Sequence, residues 1–130
     1  MSKTINIALL GLGTVGQGIV NVLKENNHEI SQKVGFPINI KTVLVRNIEK
    51  AKARFSDLSK MSNFELIKHD VTENVNYESN VDYIVHAASN ASPRFILEDP
   101  VGIINANVIG TLNMLKLAEA KKTTNFLFLS

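Results

Sequence analysis

A glycine-rich hexapeptide near the start of the chain constrains the fold more than any other feature. Residues 5–10 form a short apolar run, and six residues follow with the spacing G-x-G-x-x-G: Gly11, Leu12, Gly13, Thr14, Val15 and Gly16. A helical pattern of apolar residues begins directly afterwards, so the glycines join a predicted buried strand to a predicted helix. This context is typical of loops whose backbone amides bind a diphosphate.

Each glycine of this loop has a predicted backbone role. Gly11 permits a tight turn, Gly13 lets the main chain approach a pyrophosphate without an intervening Cβ, and Gly16 lets the helix pack closely on the strand. Residues 11–16 are therefore candidate ligands of a dinucleotide cofactor. The alternative is that the glycines only make a tight connection between strand and helix.

Strand-like and helix-like segments alternate along the whole chain. Strands are predicted at residues 5–10, 38–45, 64–69, 81–86 and 125–129, and helices at 14–33, 48–55 and 100–120. Asn47 and Asp99 are predicted N-caps, the latter followed by proline. The alternation predicts an α/β fold in one domain, residues 1–130, with a Rossmann-like doubly wound parallel sheet in the order 3-2-1-4-5 between two helix layers.

The residues after the second strand bear on the choice of cofactor. Dinucleotide sites commonly have an acidic residue there that binds the adenosine ribose, whereas this chain has Arg46 and Asn47. Arg46 is placed to pair with a ribose 2′-phosphate, which favours NADP over NAD. A solvated arginine at a strand end explains the same residue equally well.

Composition excludes several other classes of protein. The net charge is only +2 with scattered basic residues, which argues against a nucleic-acid partner. The chain has no cysteine, so disulfides and thiolate metal sites are excluded. Apolar runs are shorter than the roughly 18 residues that a membrane span needs, and no signal-peptide pattern is present. We therefore expect a soluble, cytoplasmic protein that does not bind membranes.

The first part of the chain resembles a known enzyme family. The loop GLGTVGQGI and the strand VLVRN are similar to the N-terminal region of homoserine dehydrogenases, and the resemblance covers residues 1–53. In that family this region binds the nicotinamide cofactor, and the substrate and catalytic residues belong to a later domain. The resemblance therefore implies cofactor binding alone.

The second part, residues 64–130, resembles a different family. FELIKHDVTE, VDYIVHAASNASP, DPVGIINANVIGTLNMLKLA and FLFLS are similar to extended short-chain dehydrogenases, in particular the nucleotide-sugar epimerases, dehydratases and decarboxylases. The resemblance implies that Asp70 and Val71 lie at the adenine ring and that Ala87 and Ala88 face the cofactor. It also implies that Asn107, on the long helix, supports the active site.

These two resemblances do not belong to one natural family. The epimerase-like enzymes usually space their glycines as G-x-x-G-x-x-G, unlike this loop. We therefore hypothesise an engineered chimera of two half-domains joined within residues 54–63. Each half would form a βαβ layer with a similar flat face toward the other.

Catalytic residues are not expected in this chain. The epimerase-like enzymes use a Tyr-x-x-x-Lys pair, but the residues four positions after Tyr77 and Tyr83 are Val81 and Ala87. His69 and His86 lie at the ends of predicted strands, on the crevice side of the sheet. A structural or cofactor-lining role is favoured over metal binding, because the sequence offers no third metal ligand at a suitable spacing. The prediction is a non-enzymatic NAD(P)-binding domain without a metal.

Two alternatives to this function and one prediction of assembly remain open. The chimera could fold without binding a cofactor, or it could be the cofactor-binding fragment of an active oxidoreductase that needs a second chain. The fifth strand is predicted to form a sheet edge with Phe126, Leu127 and Phe128, which could pair with a second copy to give a homodimer.

Overall fold

A computed structural model describes residues 3–54, 64–74, 80–88, 93–122 and 125–129 of the chain. The strands are β1 (Ile5–Leu10), β2 (Ile38–Val45), β3 (Glu65–Lys68), β4 (Tyr83–His86) and β5 (Asn125–Phe128). The helices are α1 (Thr14–Val34), α2 (Ile48–Arg54), α3 (Pro93–Glu98) and the long helix α4 (Pro100–Lys121). The proposed junction falls outside the described residues, except for residue 54.

All five strands pair in parallel, in the predicted order β3-β2-β1-β4-β5. Leu10, the last residue of β1, lies opposite Leu44 of β2 and His86 of β4. The carboxyl ends of the three central strands therefore meet at one edge of the sheet. In open α/β sheets, ligands bind in the crevice at this edge.

The sheet separates two apolar clusters, because successive side chains of a strand point to opposite faces. One cluster contains Leu9, Val43 and Val85 together with Val20 of α1. The other contains Leu10, Leu44 and Ile84 together with Met114 and Leu117 of α4. Helices thus cover both faces, and the predicted three-layer architecture is confirmed.

Where strand and helix ends differ from the sequence prediction, they differ by one or two residues. The predicted bounds of β1 and β2 are confirmed, whereas β4 begins two residues later than predicted. The Asp82 carboxylate accepts a hydrogen bond from the Asn6 N–H at 2.8 Å, in the position that a backbone carbonyl of the strand would otherwise occupy, while the Asp82 N–H donates to the Asn6 carbonyl oxygen. β3 is shorter than predicted at both ends, β5 is one residue shorter and α1 one residue longer. Gly35, with φ of +89°, ends α1.

The long helix α4 contains a feature that the sequence did not predict. Asp99 caps its start as predicted, with Oδ1 accepting a hydrogen bond from the Gly102 N–H at 3.0 Å. Residues Asn105–Gly110, however, form a π-helical turn. The short helix α3, which precedes α4 in the chain, was also not predicted. By length and composition alone, α4 could also span a membrane, although Met114 and Leu117 pack one of its faces on the sheet.

Candidate functional site

The glycine loop begins with a turn that only glycine accommodates. Gly11 has φ of +91°, and a Cβ built there would lie 2.7 Å from the Ala88 Cα and 2.8 Å from the Ala87 carbonyl oxygen. The Gly11 N–H donates to the Leu44 carbonyl oxygen at 2.9 Å, which ties the turn to β2. The backbone after β1 is thus in contact with the backbone after β4 and bonded to β2.

The other two glycines of the motif have opposite surroundings. A Cβ on Gly16 would collide with the carbonyl oxygen of Gly11, so close packing of helix and turn excludes a side chain at this position. Around Gly13, in contrast, no atom of the described residues other than its neighbours in the chain lies within 4 Å of the Cβ position. The internal packing of the chain therefore explains glycine at 11 and 16 but not at 13. Open space above Gly13 is what a ligand in contact with the main chain requires.

The start of α1 faces the same space. Gly13 is its N-cap residue, the side chains of Thr14 and Val15 are exposed, and no acidic residue occurs in the first turn. Leu12 is buried and anchors the loop, and its carbonyl oxygen accepts a hydrogen bond from the Gln17 amide at 3.1 Å. The first N–H groups of a helix lack intrahelical partners and carry the positive end of its dipole, so this end attracts an anion.

At the other side of the crevice, Arg46 and Asp70 form an ion pair. Arg46 Nε lies 3.8 Å from Asp70 Oδ2, and the Arg46 side chain is 77% exposed. Such an exposed, long contact contributes little to stability, so the guanidinium is available to a ligand. Asn47 is the N-cap of α2, as predicted, since its Oδ1 accepts a hydrogen bond from the Lys50 N–H at 2.9 Å.

The Asp70 carboxylate is held by the turn that follows it. Its Oδ1 accepts hydrogen bonds from the Thr72 N–H at 2.9 Å and from the Thr72 hydroxyl at 2.8 Å. These bonds, together with the charges of Arg46 and His69, lower the pKa of Asp70 against the opposing effect of its partial burial. Asp70 is therefore an ionised acceptor at neutral pH. Sequence analysis did not identify Thr72, although an Asp-x-Thr pattern is a turn signal.

Val71 is fixed by α4 rather than open to solvent. Its side chain is buried, and its carbonyl oxygen accepts a hydrogen bond from the Asn113 side-chain amide at 3.0 Å. A Cβ on Gly110 would lie 2.8 Å from Val71 Cγ2, so the helix approaches closely there. Asn113 is a positioning residue that sequence analysis missed, and its unusual place inside a helix was the available signal.

His86 is buried, although its position at a strand end predicted a place in the crevice. The ring is 0% exposed and packs edge-on against Phe128, with 5.2 Å between the ring centroids. Burial lowers the pKa of His86, and a backbone interaction with Ala106 partly opposes this shift. The Ala88 N–H donates to His86 Nδ1 at 3.3 Å. His86 thus supports the backbone of Ala88, one of the two alanines predicted to face the cofactor.

Asn107 lies in the π-helical turn of α4, next to Ala106, whose backbone interacts with His86 at the end of β4. Its Oδ1 is buried without a hydrogen-bond partner among the described residues, and the same holds for Thr111 Oγ1 and His86 Nε2. Buried polar atoms are usually satisfied, and π-helical turns are frequent at functional sites. The interior beside the turn therefore offers polar groups able to bind an ordered water or a loop.

Two groups of predicted site residues are each brought together. The loop of residues 11–16 adjoins Ala87 and Ala88, and Arg46 adjoins Asp70. His69, whose Nε2 is 3.1 Å from the Glu73 carbonyl oxygen, belongs to the turn beyond β3. Within the described ranges, no three His, Asp or Glu side chains are grouped so that they could hold a metal ion. Tyr77 lies outside those ranges.

Comparison with protein families gives a match over nearly the whole chain. Residues 7–130 match the model of the "NAD dependent epimerase/dehydratase family". The match begins inside β1, so it includes the glycine loop as well as the second half of the chain.

Individual relatives are of two kinds, as the two sequence resemblances predicted. UDP-glucuronic acid decarboxylase 3 of Arabidopsis thaliana is 41% identical over 109 residues, which cover 84% of this chain and 28% of the relative. Homoserine dehydrogenase of Bacillus subtilis is 44% identical over 50 residues, which cover 38% of this chain and 12% of the relative. Both resemblances are confirmed, and the chain spans little more than a quarter of the decarboxylase.

A solved structure of the second kind also matches. Homoserine dehydrogenase of Staphylococcus aureus superposes over 98% of this chain and 33% of its own, with a TM-score of 0.56 and 32% sequence identity. The chain is therefore a Rossmann-like domain, as the glycine loop, the sheet topology and the comparisons all indicate.

Proposed function

The chain belongs to the NAD-dependent epimerase/dehydratase family, and on this premise we propose that its 130 residues bind a nicotinamide dinucleotide without catalysing a reaction on a substrate. The proposal has three parts: the diphosphate binds at the glycine loop, the adenosine binds at the ends of β2 and β3 beside Arg46 and Asp70, and NADP is preferred to NAD.

The open space at Gly13 is the observation that supports diphosphate binding best. A glycine inside a folded loop costs conformational entropy, and packing at Gly13 gives no reason to exclude a side chain. A diphosphate against the backbone of residues 13–16 would use this space and would receive hydrogen bonds from the N–H groups at the start of α1. A cofactor thus fits the residues that are present.

The adenosine end of the cofactor is assigned to the ends of β2 and β3. Asp70 is an acceptor at neutral pH, and the rigid backbone of Val71 provides a wall for the adenine ring. Arg46, exposed and only loosely paired, has the charge and donor geometry to bind a ribose 2′-phosphate. Asn47 lies beside Arg46 but uses its side chain to cap α2, so we assign it at most a backbone contact.

Lack of catalysis is proposed from the residue types that are present. The nicotinamide ring, when bound, supplies a hydride acceptor or donor, but a reaction on a sugar or alcohol also needs an acid or base beside the substrate. Neither tyrosine of the chain is followed by a lysine at the fourth position. His86, which is titratable and close to the crevice, is enclosed by Phe126 and Phe128.

We further infer that the two halves of the domain have separate origins, joined within residues 54–63 by design. Support comes from the short stretch similar to homoserine dehydrogenase, which covers only 38% of the chain. When residues 1–53 and 64–130 are compared separately with known proteins, the first segment should be most similar to homoserine dehydrogenases and the second to the decarboxylases. Greatest similarity of both segments to the same proteins would contradict a chimeric origin.

Thermal unfolding with and without cofactor tests the proposal. A ligand at a hundred times its Kd stabilises the folded state by about 2.7 kcal/mol, which corresponds to a rise of several degrees in Tm. We expect such a rise with NADPH and a smaller one with NADH. In a separate sample with NADP⁺, we expect no rise in absorbance at 340 nm when an alcohol is added as hydride donor. Cooperative unfolding with no change in Tm at millimolar cofactor would instead indicate that the chain folds but does not bind a cofactor.

One observation favours a second candidate, a cofactor-binding part of an oxidoreductase. The chain covers only 28% of the decarboxylase that it resembles. Under this candidate, adding a separately produced substrate domain together with an aldehyde or ketone substrate to the NADPH-loaded chain leads to oxidation of NADPH, with the carbonyl group accepting the hydride. If the chain binds the cofactor but no hydride transfer occurs after the substrate domain is added, this candidate is wrong and cofactor binding alone is the function.

A further inference from the structure

The imidazole ring of His86 lies between the backbone that follows β4 and the π-helical turn of α4. The ring is fully buried, and the rings of Phe126 and Phe128 pack edge-on against it, with 6.5 and 5.2 Å between centroids. Two aromatic rings that enclose a planar side chain restrict its rotation. The two ring nitrogens of His86 therefore keep fixed directions.

The hydrogen bond with Ala88 determines which ring nitrogen carries the proton. The Ala88 N–H donates to Nδ1 at 3.3 Å, and a backbone N–H can only donate, so Nδ1 is an acceptor. Because burial lowers the pKa of His86, the ring is neutral at pH 7 and has a single N–H group. That group is therefore Nε2–H.

The Nε2–H is directed toward the π-helical turn. Nε2 lies 3.6 Å from the position that a Cβ on Gly110 would occupy, and the backbone of Ala106 in the same turn interacts with the ring. None of the described residues accepts a hydrogen bond from Nε2 at bonding distance. Buried donors are rarely left unpaired, so the Ala106 carbonyl, directly or through an ordered water, is the acceptor that the turn offers.

On its other side, the ring acts on the glycine loop through Ala88. The Ala88 Cα lies only 2.7 Å from the position of a Cβ on Gly11, so the two backbones are in direct contact. A displacement of Ala88 would therefore change the packing of the turn that leads into Gly13 and the start of α1. The contacts thus run without a break from α4 through the His86 ring to the glycine loop.

We propose that His86 is a positioning residue of the glycine loop: its Nδ1 holds Ala88 against Gly11, and its Nε2–H anchors the ring on the π-helical turn. The buried ring acts through Ala88 and does not contact the cofactor. The effect on cofactor affinity rests on the proposed function, whereas the tautomer and the bond to Ala88 are properties of the protein without cofactor.

Two substitutions separate the roles of the two nitrogens. The side-chain amide of His86→Asn reaches the position of Nδ1 and can accept from Ala88, whereas that of His86→Gln reaches the position of Nε2 and leaves the Ala88 N–H without an acceptor. We expect calorimetric titration at pH 7 to show NADPH binding within about threefold of wild type for His86→Asn, and at least tenfold weaker binding for His86→Gln.

Stability measured on the same variants distinguishes positioning from packing. Asparagine leaves more of the ring volume empty than glutamine, so urea unfolding should find His86→Asn the less stable variant although it is the better binder. A role in packing alone predicts the opposite order of affinities. Equal affinities of the two variants, or weaker binding by His86→Asn than by His86→Gln, overturns the proposal.

NMR spectroscopy of the cofactor-free, ¹⁵N-labelled protein tests the same role without a ligand. We expect the His86 ring to have an unprotonated Nδ1 and a protonated Nε2, and the Ala88 amide to be protected from exchange in wild type and His86→Asn but not in His86→Gln. A protonated Nδ1, or equal Ala88 exchange in all three proteins, overturns the proposal. If wild type binds no NADPH, the proposed function is wrong, and the NMR result alone decides whether His86 positions Ala88.

Discussion

The Asn113 side-chain amide donates a hydrogen bond to the Val71 carbonyl oxygen across 42 residues of sequence, at a distance of 3.0 Å. This bond fixes the turn after β3 against the middle of α4. The Asp70 carboxylate immediately precedes the fixed residue, so the long helix positions the proposed adenosine site without contacting the ligand.

Replacing Asn113 tests this positioning role. Asn113→Ala leaves the Val71 carbonyl without its partner, and we expect a loss of about 1 kcal/mol in the free energy of unfolding. We also expect NADPH to bind several-fold more weakly at a temperature where the variant is fully folded. Urea unfolding and calorimetric titration measure the two effects. Unchanged affinity in a destabilised variant would limit Asn113 to a structural role.

A methyl group at position 110 should also disturb the packing of α4 against Val71, because Gly110 contacts the Val71 side chain. The Cβ of Gly110→Ala would meet Val71 Cγ2 at 2.8 Å, and overpacking of this kind costs roughly 1–3 kcal/mol. Gly18→Ala, in an exposed part of α1 with open space around the glycine, is the control and should be neutral or stabilising. Equal unfolding free energies for the two variants would contradict the close approach of α4 to Val71.

The fold was more predictable from the sequence than the site. β1 and β2 are apolar runs with clear breaks on both sides, so their bounds and the sheet order follow from local pattern and general topological rules. Asn113, Thr72 and the burial of His86 depend on contacts between segments distant in the chain. No local pattern encodes which way a strand-end histidine faces when two phenylalanines of a neighbouring strand cover it.

The π-helical turn shows the same limit within a single helix. Apolar periodicity predicts a continuous helix at residues 100–120, and α4 is continuous. The local change of winding at Asn105–Gly110 accompanies the packing of Gly110 on Val71, which belongs to another segment. Periodicity alone therefore located the helix but missed the turn that carries Asn107.

Arg46 should decide between the two cofactors. Arg46→Ala removes a charge-assisted contact to the 2′-phosphate, which is worth about 1.5–3 kcal/mol, so NADPH should bind at least tenfold more weakly while NADH is little affected. Arg94→Ala, which removes an exposed arginine from α3, is the matched control and should change neither affinity. Equal weakening for both cofactors would contradict a role in 2′-phosphate recognition.

His86 should make the fold less stable in mild acid. Its pKa is lowered by burial, so below its usual value of 6.5 the unfolded chain takes up a proton that the folded chain does not. Stability from this residue is thus complete above about pH 6.5 and decreases as the pH falls toward the folded-state pKa. Urea unfolding at pH 7, 6 and 5 should show this decrease in wild type and a smaller one in His86→Gln. An identical slope in both proteins would contradict a buried, neutral imidazole.

Calorimetric titration of NADPH into wild type, Gly13→Val and Gly18→Val tests the diphosphate site most directly. In the part of the chain that the structure describes, the Cβ at either position has no atom within 4 Å beyond its own local backbone, so both variants should remain folded. We predict saturable binding by wild type and Gly18→Val, and a loss of at least tenfold in affinity for Gly13→Val. Binding that is equally strong in Gly13→Val would contradict contact between the cofactor and the main chain of the glycine loop.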